Sequence, residues 1–212
     1  MTESTPVPSD IAFTPAVKAI QAREGSRRAY ARMEEGEGWE TTITPDIAAF
    51  IAAQTSAFLG TANAAGQPYI QHRGGLAGFL HVLDVRTIAF ADLQGNRQFI
   101  TLGNLAENPK AHLFLIDYEN RQRVKIWGEA RVVEDDAALL EKLMPPGEKA
   151  RGERVILFRV TAWDANCPKH IPQRFEAADV ARTLAVRDRR VAELEQEVAR
   201  LKAHQSGVSG AA

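Results

Sequence analysis

The chain has 212 residues, 45% of them hydrophobic and 25% charged, with a formal net charge of -1. That length buries a core for one domain with appendages, and the balanced charge removes any global argument for nucleic acid, so an anion site has to be local. No apolar run is long enough to cross a bilayer, Met1 to Pro8 lacks the pattern of a signal peptide, and the single cysteine, Cys167, excludes an internal disulfide; the expectation is a cytoplasmic protein with no membrane or nucleic-acid partner and no metal.

Pro6 and Pro8 among Ser and Thr predict a disordered lead over residues 1–13. Val17, Ile20, Tyr30 and Met33 recur at near-helical spacing over 15–33, with Gly25 interrupting them. "EEGEGW" breaks that pattern. Thr44-Pro45-Asp46 is a helix start, with Thr44 as N-cap and Pro45 at the first helical position, and Ile47, Phe50 and Ile51 form its apolar face.

From Ser56 the period changes to that of a strand, closed by the Asn63-Ala64-Ala65-Gly66 turn, and Pro68 to Gln71 return antiparallel. Further strands are predicted at 79–83, 87–92, 111–117, 123–133 and 154–163, with a helix over about 96–107. Strands in close succession around one internal helix predict a mainly β fold with flanking helices, an antiparallel barrel rather than a βαβ sheet. "RGGLAGF" lacks the spacing of a dinucleotide-binding turn. The barrel domain with its N-terminal helices is expected over 14–175, a C-terminal helix over 176–205 and a flexible tail over 206–212. In that helix Leu184, Val191, Leu194, Val198 and Leu201 follow an a/d spacing, which suits a short coiled coil or a helix packed on its own barrel or on a partner subunit.

Four clusters carry possible chemistry. Gly95-Asn96-Arg97-Gln98, after a strand and before a helix, combines backbone N–H groups, a positive helix end and a guanidinium fork, which suits a phosphate; an N-cap followed by a solvated arginine reads equally well. Gln71-His72-Arg73-Gly74-Gly75 permits close approach of a flat ligand, or is a glycine-rich bulge. Arg121, Arg123 and Lys125 share one face of a strand, and such a face is most often merely solvated. "AWDANCPKHIPQRF" gathers Trp163, Cys167, His170 and Arg174 as a pocket wall, with a catalytic Cys-His pair second and a metal site last. No Ser-His-Asp constellation, paired-carboxylate signature or phosphate-binding Walker loop is present.

In order, "FLGTANAAGQPYIQHRGG", "IAFADLQGNRQFITLGNLAENPKAHLFLIDY" and "RVKIWGEARVV" resemble the pyridoxamine 5'-phosphate oxidase-related family of FMN-binding split barrels, over roughly residues 45–165. The resemblance implies a six-stranded antiparallel split β-barrel that forms a homodimer with FMN at the subunit interface. It implies that Asn96 and Arg97, with Gln98, hold the flavin phosphate, and that Gln71, His72, Arg73 and Gly74 flank the isoalloxazine ring. Asp92, Arg123 and Lys125 complete the implied cofactor-binding set. The implied activity is an FMN-dependent oxidoreductase that moves a hydride or electrons at flavin N5, acts on a small-molecule substrate and takes electrons from a donor such as NAD(P)H; the alternative is a non-catalytic flavin- or haem-binding protein of the same fold.

Two departures from the family pattern stand out. Asn96 occupies a place where the typical oxidase has a basic residue. "WDANCPKHIPQRF" and a long charged helix replace the C-terminal segment that clamps the vitamin phosphate, so FMN binding carries over better than the substrate does.

Overall fold

Gly25, with φ +78°, divides the first predicted helix in two. In the computed structural model, which describes residues 6–36, 38–145, 147–166 and 168–209, with side chains given as far as Lys202 and not at Asn166, the pieces are α1 (Pro15–Arg23) and α2 (Arg27–Glu35). Thr14 caps α1 by accepting from Val17 N–H at 3.3 Å. The preceding stretch was expected to be disordered, yet Pro8–Ile11 form a 3-10 turn. Asp10 closes that turn on Val7 N–H at 3.0 Å, and Phe13 lays its ring against Tyr30 and Trp39, each at 5.1 Å. Local hydrogen bonds and aromatic burial outweigh the two prolines.

Thr44 and Pro45 start α3 (Pro45–Ala53) as their types require, with Ile47 N–H donating to Thr44 Oγ1 at 3.4 Å and Ile51 fully buried. The predicted strands follow as β1 (Ser56–Ala62), β2 (Pro68–Gly74), β3 (His81–Asp84), β4 (Thr87–Leu93), β5 (Lys110–Asp117), β6 (Gln122–Val133) and β7 (Gly152–Asn166), with α4 (Ile100–Glu107) between β4 and β5. One further helix, α5 (Ala137–Leu143), was not anticipated. Asp136 caps it through Leu139 N–H at 2.8 Å, and its Leu143 is fully buried in a small cluster with Ala89 and Val155.

All strand pairs are antiparallel, in the order β2-β1-β5-β6-β7-β4-β3. The expected six-stranded barrel is thus a seven-stranded sheet whose edges are β2 and β3. Those edges do not pair because the chain between them is engaged elsewhere: Gly75 N–H donates to Thr55 O at 3.2 Å and Gly78 N–H to Ala52 O at 2.7 Å. Period-two burial holds along β1 and β6, where Ala57, Leu59, Val124, Ile126 and Ala130 point into a core with Leu113, Leu115, Ile156 and Phe158. At Gly128 the β6–β7 register shifts, and a Cβ there would lie 2.1 Å from Arg159 O and 2.6 Å from the Phe158 ring. Only a glycine lets these two strands approach so closely.

The chain forms two compact units, Met1–Asp117 with Arg121–Ile171, and Tyr118–Asn120 with Pro172–Ala212. The second contains α6 (Ala177–Ser209), which runs into the stretch expected as a flexible tail; residues 210–212 lie outside those described. Among the described residues no helix is long and apolar enough to cross a membrane.

Candidate functional site

Because side chains alternate along a strand, Tyr69, Gln71 and Arg73 share the half-buried face of β2 while Ile70 and His72 point to the exposed one. β4 ends close by at Asp92, which is buried and forms an ion pair with Arg73. After β4 the chain does not enter a helix at residue 96, as the sequence suggested. Asn96 Oδ1 instead accepts Gln98 N–H at 3.3 Å, a local turn that competes with helix. Arg97 and Phe99 then take left-handed backbone with φ +60° and +55°. Such conformations cost a non-glycine residue about 1–2 kcal/mol each, and they concentrate where a site must be shaped.

α4 therefore begins at Ile100 with Phe99 as its N-cap, and that residue offers no side-chain acceptor to the first-turn amides. Thr101 fixes this end of the helix to β2 by donating its hydroxyl to Gln71 Oε1 at 2.6 Å, and Asn104 Nδ2 donates to Thr61 Oγ1 on β1 at 3.0 Å. The result is a shallow, solvent-open cleft between β2, the end of β4 and the start of α4. Gln71, Arg73, Asp92, Asn96, Arg97 and Gln98 all line it.

Electrostatically the cleft is donor-rich with two acids, Asp92 and Glu153. Arg154 Nε lies 3.9 Å from the second Asp92 oxygen, and its Nη2 donates to Glu153 at 3.0 Å. The Arg97 and Arg154 guanidiniums each sit 5.6 Å from the centre of the exposed Phe99 ring. Arg73 Nε is buried and has no hydrogen-bond partner among the described residues. A buried donor left open in this way costs free energy unless a further acceptor reaches it.

The other residues singled out from the sequence lie elsewhere. His72 bonds Ser56 Oγ at 2.8 Å on the exposed face of β2, and Gly74 pairs with Ser56 in the β1–β2 ladder. Arg121 precedes β6 with φ +52°, so only Arg123 and Lys125 share the strand face. Lys125 Nζ is 3.7 Å from Asp164 Oδ2 and 5.9 Å from the Trp127 ring; Arg123 Nε is buried with no partner among the described residues. Neither lines the cleft.

The expected pocket wall also has other duties. Trp163 donates its indole N–H to Thr42 O at 2.8 Å and pairs with Glu40, which anchors the N-terminal segment to β7. His170 is exposed in a turn with φ +66°. Arg174 belongs to the second unit, where its guanidinium lies 4.6 Å from the Tyr118 ring. Cys167 lies outside the described residues.

Sequence reasoning missed Tyr69, Phe99 and Glu153 in the cleft. Tyr69 was within reach, because it lies two residues before Gln71 on the same strand.

A family model described as pyridoxamine 5'-phosphate oxidase matches residues 43–181, about two thirds of the chain. The chain belongs to this family. The match takes in every strand, the cleft and the start of α6. Solved structures similar to this pyridoxamine 5'-phosphate oxidase family member include HupZ from Group A Streptococcus, at 19% identity and a TM-score of 0.49, covering 63% of this chain and 99% of that one. Another is an FMN-binding protein from Syntrophomonas wolfei, at 11% identity and a TM-score of 0.45, covering 72% and 97%. A third is a protein related to general stress protein 26 from Clostridium acetobutylicum, at 15% identity and a TM-score of 0.41, covering 62% and 92%. No curated protein matches the chain.

Proposed function

We propose that this protein is an FMN-dependent oxidoreductase acting on a small molecule, with the flavin phosphate seated at the start of α4. One observation carries the reading: Arg97, Asn96 and Gln98 converge with the uncapped amides of α4 on the same cleft as Arg73, whose Nε has no partner among the described residues. The donor set fits a phosphate-bearing flavin. Backbone N–H groups and the helix dipole favour an anion, and guanidinium groups add charge-assisted hydrogen bonds.

When bound, the flavin supplies hydride or electron transfer at N5. In this reading Arg97 binds the phosphate, Asn96 and Gln98 orient it, and Asp92 holds the Arg73 guanidinium so that its open Nε faces the ligand. Tyr69 and Gln71 flank the ring along β2, with Gln71 held in place by the Thr101 hydroxyl. The proposed active form is a homodimer, in which Arg123 and Lys125 complete the site of the second copy. Arg123 Nε, buried and without a partner among the described residues, supports that role.

The visible spectrum of the purified protein, before and after reconstitution with FMN, tests the assignment. Flavin absorption that bleaches on addition of NAD(P)H and returns with a substrate or oxygen is the expected result. A Soret band would replace flavin by haem, and a colourless protein that takes up no FMN would overturn the reading.

A further inference from the structure

The second unit consists mainly of α6, 33 residues and roughly 50 Å long, with no other helix or strand among its described residues to cover the helix. Five of its larger apolar side chains form one seam, while Val186 falls at a c position outside it. Leu184, Val191 and Val198 fall at a positions, and Leu194 and Leu201 at d positions, and each is about half exposed. β-Branched residues at a with leucine at d favour two parallel strands over higher assemblies. There are two departures: Leu184 is not β-branched at its a position, and Arg187 occupies the d position between Leu184 and Val191.

The residues beside the seam identify the partner. At the flanking g and e positions stand Arg190 and Glu197, and Glu195 and Lys202. In two parallel copies of the helix in register, each g residue meets the e residue five positions further along the other copy. Arg190 then faces Glu195 and Glu197 faces Lys202, so every charged g–e contact is attractive, in both directions. An antiparallel pair that stacks Val191 on Leu201 and Leu194 on Val198 is less favourable. It sets Glu195 beside Glu195 and Glu197 beside Glu197 at its centre, and only the outer Asp188–Lys202 pairs attract. Arg190 already bonds Glu193 of its own helix at 2.9 Å, but both side chains are exposed and can exchange partners at little cost.

We propose that α6 pairs with α6 of a second copy of this chain, as a parallel, in-register two-stranded coiled coil over residues 184–202. None of its residues is among those that line the cleft, and its pairing does not depend on bound FMN. It gives the chain a self-association element beyond the segment matched by the family. Arg187 limits its length: two guanidiniums near the axis weaken the N-terminal heptad, as a single polar core residue does in other coiled coils.

Cysteine pairing tests the orientation and register directly. In the full-length chain with Cys167→Ser, Leu201→Cys places two thiols across the axis within disulfide reach, and mild oxidation at high dilution should convert the protein almost completely to a cross-linked dimer. Glu195→Lys should reduce that yield several-fold, and adding Arg190→Glu should restore it. Arg187→Leu should keep the yield high at greater dilution. The proposal is overturned if no 201–201 disulfide forms, as when α6 packs on its own barrel. It is also overturned if the disulfide forms only at rising concentration, if charge reversal leaves the yield unchanged, or if a Val191→Cys chain mixed with a Leu201→Cys chain gives the 191–201 product instead. FMN content measured on the same variants should not change, which keeps this result apart from the cofactor assignment.

Discussion

Arg73 on β2 and Asp92 at the end of β4 form a nearly buried ion pair, with side-chain exposures of 11% and 9%, between strands that lie in different halves of the sheet. No ladder hydrogen bond joins β2 to β4, so this pair is one of the few polar links across the cleft floor. Breaking such a pair by removing one charge leaves the other buried and uncompensated, which costs about 3–5 kcal/mol, whereas an apolar pair of similar volume is often neutral. Asp92→Ala should therefore lower unfolding free energy by about 3 kcal/mol in urea titrations. Arg73→Met with Asp92→Leu should recover most of that loss. If the proposed function holds, the double variant will be stable and yet bind FMN poorly, because the oriented Nε donor is gone.

Arg97 separates stability from binding in another way. Its left-handed φ of +60° disfavours any side chain with a Cβ, so Arg97→Gly should be neutral to about 1 kcal/mol more stable by denaturant midpoint. Arg97→Ala keeps the strain. Both substitutions remove a charge-assisted phosphate contact, and each should weaken FMN affinity by about 1.5–3 kcal/mol in fluorescence titration, roughly 10- to 150-fold. Equal affinity in wild type and both variants would remove Arg97 from the site.

The strands were legible in the sequence because alternation records burial on one face, and β1 and β6 keep that alternation almost perfectly. The donor cluster at residues 95–98 was also legible, as was its place before a helix. The start of that helix was not, because the Asn96–Gln98 turn and the left-handed residues Arg97 and Phe99 are set by packing of the cleft rather than by propensity. Trp163 shows the limit of reading density as function. Nothing local reveals that its indole N–H is committed to Thr42, 121 residues away in sequence. α5 was missed although Asp136 before Ala-Ala-Leu-Leu is a recognisable start, since its seven residues are too few to display a period.

Gly128 is the position where the sheet tolerates no side chain. A Cβ would overlap the Arg159 carbonyl at 2.1 Å, a backbone atom of the paired strand that cannot rotate away. Gly128→Ala should destabilise by about 3 kcal/mol or more, at the upper end for overpacking, by forcing β6 and β7 apart. Gly95→Ala is the control: a Cβ there meets nothing within 4 Å, and thermal unfolding should leave it within about 0.5 kcal/mol of wild type.

His112 gives the protein a defined acid sensitivity. It stands half-buried on β5, edge-on to Trp127 at 4.9 Å, and burial pushes its imidazole below the ordinary value of 6.5, with the Lys125 ammonium adding to the effect. A histidine whose folded pKa is depressed is neutral in the fold while the unfolded chain still takes up a proton. Its contribution is therefore fully present above the unfolded pKa and is lost as pH falls through 6.5 toward the lower folded value. Urea midpoints measured from about pH 7 down to about pH 5 should fall in wild type. His112→Phe keeps a flat ring against Trp127 but cannot be protonated, and its midpoints should fall less over the same interval. An equal decline in both proteins would assign the acid sensitivity to other groups.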